Sequence, residues 1–395
     1  MLSFEKKFTT FIENNIDKLF FPLCIIFSLI LRIAAFNFVS SDMEGYLLGW
    51  FGQIEQLGRI HALKTQVGNY SVAYQTLIAI MTYIKIDPLY QYKMLSVLFD
   101  YALAFGVYSL VKELSSKKIH AYVAFAVTIF SPLVFINSAV WGQCDAIYTA
   151  FAVWSLYAFI KKKYPISMVL FGLSFAFKLQ AIFLLPFYLF AYIRKKEFSI
   201  FNFLIVPATM EFVCIPAMIM GRSFKGAFSP YYYQTGSCDK MYFSYPSFWS
   251  IFGINSPDTR LKFIEGFKLP AVIMAFSVLM LLMIFLFAKK VELNARNTVF
   301  ISFIFIYTCV MFLPGMHERY GFMYEILAIV IAFLIPKAII PAVLLLSLSL
   351  ITYGSNLIYN LEIHPVMGIA NFAVYLIYIY FFYKDNFNTA ELNKE

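Results

Sequence analysis

The chain has 395 residues, of which 61% are hydrophobic and only 13% charged, with 46 Phe and 28 Tyr. So few charges cannot cover a soluble surface, so soluble multidomain classes are excluded and residues 1–395 read as a single integral-membrane domain. The formal net charge of +9 points to orientation in a bilayer rather than to nucleic acid.

Residues 19–39 form the first apolar run, about the roughly 20 residues a span needs. With no Ala-x-Ala-like cleavage site it reads as a retained first transmembrane helix. Arg32 lies inside it, where a charge calls for an acidic partner or an anionic ligand. After Ser40, Ser41, Asp42, Met43 and Glu44, apolar residues recur at spacings of three and four through Tyr46, Leu47, Trp50, Ile54, Leu57 and Ile60. That pattern predicts an amphipathic helix at the interface. Ser41 or Asp42 suits its N-cap, so Asp42 reads either as a cap or as a general base.

The run 72–86 is short and interrupted by Gln75; it is expected to dip into the membrane without crossing. Further apolar runs cover 90–110, 119–139, 146–160, 165–177, 181–193, 198–220, 269–288, 299–313, 320–335, 338–353 and 365–383. The basic clusters at Lys112/Lys117/Lys118, Lys161–Lys163, Arg194–Lys196, Lys289/Lys290/Arg296 and Lys337 all belong inside by the positive-inside rule. The expected fold is therefore all-α, with about twelve transmembrane helices, both termini cytoplasmic, a first external loop at 40–89 carrying interfacial and re-entrant helices, and a second at 221–266. The five cysteines show no CxxC and no metal-ligand spacing, and no metal or cofactor is expected.

The segments assigned outside hold the polar residues. Trp141-Gly142-Gln143-Cys144-Asp145 reads as a contact for sugar or acceptor, or as a polar turn with an interfacial Trp. Lys178 and Gln180 fall where the chain must reverse between two basic clusters. The arms are too short to span, which suits tips lining a wet cavity. A lysine there suits phosphate, or snorkels. His317-Glu318-Arg319-Tyr320 sits between two apolar runs; His and Arg can donate to phosphate oxygens and Glu318 can orient them. The aromatics Tyr231–Tyr233, Tyr245 and Trp249 read as interfacial belt, lipid cover or sugar platform.

Together these residues resemble the GT-C superfamily of integral-membrane glycosyltransferases, and among them bacterial relatives of the GPI mannosyltransferases. The matching segments are Ser41-Asp42, the helix 46–60, Asn69-Tyr70-x-x-x-Tyr74, Trp141-Gly142-Gln143-x-Asp145, Lys178-x-Gln180-Ala181 and His317-Glu318-Arg319-Tyr320. Two departures are Met43, where relatives often carry Tyr, and Val72-Ala73, where Pro is common. The resemblance implies inverting transfer of a hexose from a polyprenyl-phosphate sugar to a cell-envelope glycan or lipid acceptor on the extracytoplasmic side. It implies Asp42 as the base and Lys178, His317, Arg319 and Arg32 around the donor phosphate. Substrate contacts would fall to Glu44, Tyr70, Tyr74, Trp141, Gln143, Asp145, Gln180, Glu318 and Tyr320. The rival readings are an envelope polysaccharide polymerase or ligase, and a transporter. The early Asp42 and the His-Glu-Arg cluster favour the transferase, and a transporter should show internal repeats.

Overall fold

A computed structural model describes residues 3–236, 240–253, 261–359 and 363–387. Residues 237–239, 254–260 and 360–362, which include Cys238 and parts of the sequence-predicted external segments, lie outside the described residues.

The helices in chain order are α1 (Ser3–Ala34), α2 (Leu48–Gln56), α3 (Val72–Met81), α4 (Pro88–Leu114), α5 (Lys118–Phe130), α6 (Pro132–Phe135), α7 (Asp145–Ile160) and α8 (Tyr164–Phe177). There follow α9 (Leu185–Lys195), α10 (Ile205–Ile219), α11 (Phe224–Gly236), α12 (Leu261–Ala288), α13 (Ala295–Phe312), α14 (Phe322–Leu334), α15 (Ile339–Gly354) and α16 (Pro365–Phe387). Local chemistry sets several boundaries. Asp87 accepts the amide of Leu89 at 2.8 Å and Pro88 opens α4, a residue with no amide to lose at that position. Asn294 caps α13 through the amide of Asn297 at 2.9 Å. Ser131-Pro132 breaks α5 from α6, with a 41° bend. Two-residue strands β1 (Tyr242–Phe243) and β2 (Met316–His317) pair in parallel, Tyr242 opposite Met316 and Phe243 opposite His317.

Among the described residues only six helices are long and apolar enough to cross a bilayer, or seven if the bent pair Lys118–Phe130 and Pro132–Val140 is one span. The sequence-based expectation of about twelve transmembrane helices is therefore overturned. The chain is an all-α multi-pass membrane protein with half that number of long apolar helices. The reason is physical. Several apolar runs form helices of 10–17 residues, including Asp145–Ile160, Tyr164–Phe177 and Phe322–Leu334. A 14-residue helix reaches about 21 Å at 1.5 Å per residue, short of a roughly 30 Å hydrocarbon core. In α7 and α14 nearly every side chain is buried against other helices. Their apolar composition answers to protein packing, and hydropathy alone does not tell that from lipid.

The bundle has two chemically distinct ends. At one end the basic clusters are tied together: Lys161 pairs with Glu113 at 3.0 Å, and Lys162 and Lys195 approach Glu197 at 3.4 and 3.9 Å. Arg194 donates to the carbonyls of Val291 at 2.8 Å and Lys290 at 2.5 Å, and Arg296 pairs with Asp385 at 2.8 Å. From Lys112 near this end, the 27 residues of α4 run about 40 Å to the other end, which holds the polar motifs. There the segment after α2 is clamped. Gln75 on α3 donates to the carbonyls of Ala62 at 3.1 Å and Thr65 at 2.9 Å. Arg222 donates to Gln66 at 3.1 Å and Gln75 at 3.0 Å, and also to the carbonyl of Thr65. Gln75, which interrupts the apolar pattern, is thus the residue that fastens α3.

Candidate active site

Asp42 is set by what holds the end of α1. Lys93, buried on α4, donates to the carbonyls of Ala35 at 3.2 Å, Phe36 at 2.9 Å and Phe38 at 2.6 Å. These lie just past a helix C-terminus, where carbonyls lack partners and attract a cation. Ser40 then donates to the carbonyl of Trp141 at 3.0 Å and accepts the amide of Met43 at 3.2 Å. Ser40 therefore does the capping at this turn, and the Asp42 side chain makes no cap bond. Its Oδ2 instead accepts from Trp141 Nε1 at 3.1 Å and Gln143 Nε2 at 2.7 Å, and lies 3.5 Å from Arg319.

The Trp141–Asp145 segment is a tight turn from the helical stretch Ile136–Val140 into α7. Gly142 sits at φ 75°, a left-handed conformation suited to glycine. A Cβ there would collide with Met43 Cε. Gln143 is the hub: its amide nitrogen reaches Asp42, and its Oε1 accepts from Tyr70 at 3.0 Å and Arg319 at 2.5 Å. Asp145, fully buried at the N-terminus of α7, pairs with Lys178, accepts from Asn137 at 2.9 Å and lies 3.6 Å from Arg319.

Lys178 ends α8 in extended backbone and packs near the rings of Tyr148 at 5.5 Å and Tyr320 at 5.8 Å. Ser71, the N-cap of α3, donates to the carbonyl of Phe177 at 3.1 Å, which brings Tyr70 beside Lys178. Strand β2 delivers the last group. His317 stacks on Phe243 with centroids 4.4 Å apart. Burial, with the charges of Arg319 and Lys178, pushes the His317 pKa down to about 3, so its imidazole is neutral at physiological pH. Burial pushes the Glu318 carboxyl up, against the pull of Arg319. The Arg319 guanidinium donates to Glu318 at 3.0 Å and Gln143 at 2.5 Å, and lies 5.0 Å over Trp141.

A cavity of about 630 Å³ lies against this cluster. Its polar lining includes Tyr70, Lys178, Gln180, His317, Arg319 and Tyr320, and its apolar wall includes Phe177, Phe183, Val272 and Leu313. The Oε1 of Gln180 is buried without a hydrogen-bond partner. Asp42 is not a lining residue; at 31% exposure it meets the lining through Arg319, and through Gln143, which bonds Tyr70 and Arg319. The combination offers a carboxylate open to solvent, two cations and apolar walls.

Ten of the sequence-predicted residues share this cluster: Asp42, Tyr70, Trp141, Gln143, Asp145, Lys178, His317, Glu318, Arg319 and Tyr320, with Gln180 on the cavity wall. Three stand apart. Glu44 is exposed and does not line the cavity. Tyr74 is buried behind Tyr70, ring to ring at 5.2 Å, and is also not a lining residue. Arg32, assigned above to the donor phosphate, is buried and spent on Asp100 at 3.0 Å and on the carbonyl of Ile129 at 2.9 Å. Unlike Lys178 and Arg319, it is not among the residues that line the cavity. Lys93, Asp100 and Asn137 were missed by sequence reasoning. Lys93 and Asp100 fall seven residues apart in one apolar run, two turns along one helix face, a spacing that would have marked both. Among the described residues no group of three or more His, Cys, Asp or Glu could hold a metal ion.

A family model described as glycosyltransferase family 87 matches residues 70–314. The match takes in Tyr70, the Trp141–Asp145 turn and Lys178, and stops short of Asp42 and of His317–Arg319. No curated protein matches the chain.

Proposed function

The chain belongs to glycosyltransferase family 87, a family of GT-C integral-membrane glycosyltransferases, and from that premise we propose that it transfers a hexose from a polyprenyl-phosphate sugar to a cell-envelope glycan or lipid acceptor, with inversion. The observation that carries the reading is the Asp42–Gln143–Arg319 network beside a cavity with cationic and apolar walls.

In this reading the donor phosphate sits against Lys178 and Arg319, and the first isoprene units follow the apolar wall. Asp42 takes the proton of the acceptor hydroxyl through Oδ1, since Oδ2 carries the bonds from Trp141 and Gln143. The acceptor oxygen bonds to the anomeric carbon as the bond to the phosphate oxygen breaks, and polyprenyl phosphate leaves. Charge developing on that oxygen is met by preorganised donors, and neutral His317 contributes an N–H. A phosphate is a good enough leaving group to need no general acid, unlike the aglycone of paired-carboxylate hydrolases. The 3.5 Å Asp42–Arg319 contact is looser than the other bonds to Asp42. A phosphate that draws on Arg319 would loosen it further and leave the Asp42 carboxylate freer for the acceptor hydroxyl.

The active site belongs on the extracytoplasmic side in this proposal, with both termini cytoplasmic and 40–89 and 221–266 as external loops. The basic residues tied together at the opposite end of the bundle support that orientation, because cytoplasmic ends carry the excess of Lys and Arg. A cysteine at exposed position 41 (Ser41→Cys) should then react with a membrane-impermeant maleimide from outside intact cells; labelling only after permeabilisation would invert the orientation.

The chemical test is Asp42→Asn. It should leave the protein folded and cause a polyprenyl-phosphate hexose to accumulate in lipid extracts of cells dependent on the enzyme. Unchanged transfer would remove Asp42 as the base. An unchanged lipid pool with shorter surface polymers would favour a polymerase.

A further inference from the structure

A second cavity, of about 450 Å³, lies between α12, α13 and α16. It is remote from the polar cluster: Leu282 is ten residues along α12 from Val272 of the active-site cavity, about 15 Å at the helical rise. Its wall is apolar throughout, built from residues such as Leu282, Phe285, Leu286, Ile304, Phe305 and Tyr380. It also lies toward the basic end of the bundle, just short of the helix ends at Ala288 and Phe387 and the helix start at Ala295.

What stands at its mouth is specific. On α12 the stripe Leu282, Phe285, Leu286 continues at the same spacing to Lys289; on α16 Lys384 follows Tyr380 by four. These positions share a helix face with the cavity wall. Lys289, Lys290 and Lys384 are all exposed. Of the other charged groups nearby, Arg296 pairs with Asp385 and Arg194 donates to the carbonyls of Lys290 and Val291; Glu292 is exposed beside Lys290, so three lysines stand against one further carboxylate. The arrangement is therefore an apolar slot whose α12 and α16 walls run on into three exposed lysines, Lys289 and Lys290 in the turn after α12 and Lys384 one turn beyond Tyr380. From Leu282 to Lys289 it measures about 10 Å along the axis, a fraction of one leaflet.

We propose that this slot is a binding site for one anionic phospholipid, its acyl chain in the cavity and its phosphate among Lys289, Lys290 and Lys384. The apolar wall alone would accept any lipid, and the lysines select for negative charge. Basic pockets between helices at a membrane surface gain roughly a factor of five in affinity per lysine. The site is independent of the transferase reading, because none of its residues belongs to the active-site cluster.

The test is native mass spectrometry of the full chain in mild detergent, with phosphatidylglycerol and phosphatidylcholine offered separately and in competition. One phosphatidylglycerol should be retained per chain in preference to phosphatidylcholine. The variant Lys289→Gln/Lys290→Gln/Lys384→Gln changes only exposed side chains and should cut that preference by up to about a hundredfold. Ile304→Trp, which fills the cavity, should lower retention of both lipids. Equal retention of the two lipids by the native chain would overturn the proposal, as would a preference that survives the triple lysine change. So would displacement of phosphatidylglycerol by equimolar polyprenyl phosphate, which would assign the slot to the donor's tail.

Discussion

Gly142→Ala tests how the Asp42 carboxylate is held. The glycine sits at φ 75°, where a residue with a side chain loses roughly 1–2 kcal/mol. The added Cβ would also collide with Met43 Cε, and Met43 is fully buried. Met43 Cε is the end of a flexible side chain, so moving it costs at the low end of overpacking, about 1 kcal/mol, and the variant should lose about 2–3 kcal/mol in all. Met43→Val removes the Cε and with it the clash, while leaving the backbone strain in place. In the double variant the two losses should fall short of additivity by the clash alone, about 1 kcal/mol. Reversible unfolding in mixed detergent micelles, followed by tryptophan fluorescence, gives the four free energies of the cycle. Additivity within about 0.5 kcal/mol would refute the reasoning, because it would mean that Met43 and Gly142 do not share the space assigned to them.

Arg319→Lys keeps the charge but loses the fork that reaches Glu318 and Gln143 together; transfer should fall by about 10²–10³, and retention of more than about a tenth of the rate would deny the fork a role. The His317 pKa falls from 6.5 to about 3 on folding, so the unfolded chain takes up this proton first. The stability held by neutral His317 is complete above about pH 6.5 and is lost as pH falls toward 3. His317→Phe, which keeps a ring on Phe243, should flatten the fall in unfolding midpoint between pH 7 and 4, and an unaltered slope would contradict a buried neutral imidazole. Arg32→Met strands Asp100, which is fully buried, and should cost about 3–5 kcal/mol. Arg32→Met/Asp100→Leu should recover most of that with unchanged affinity for polyprenyl phosphate; lost affinity in the double variant would return Arg32 to the donor site.

Much of the polar cluster was legible because it breaks the pattern around it. Asp42, Asp145, Lys178 and Arg319 are charges in segments that otherwise avoid them, and a membrane protein places such residues at cost. The fold was less legible. Hydropathy marks α7, α8 and α14 as strongly as a true span, yet their apolar faces meet other helices, so counting runs overcounts crossings. Arg32 was legible as a charge that needs an acidic partner or an anionic ligand; the acidic partner is Asp100 on α4, a residue that hydropathy had folded into an apolar run. The choice of cap was also invisible. Ser40, Ser41 and Asp42 are all good caps by type, and only the position of Trp141 in space decides for Ser40.

The short parallel pairing of β1 with β2 has a mechanical side. It joins the loop 240–253 to the strand that carries His317, and Phe243 on that loop both walls the cavity and stacks on His317. A shift of this loop must either carry the His317 ring with it or break the strand pairing and the ring stack together. The loop and the His317 edge of the cavity are therefore mechanically linked. A label at position 243 would report on the state of the His317 edge of the cavity.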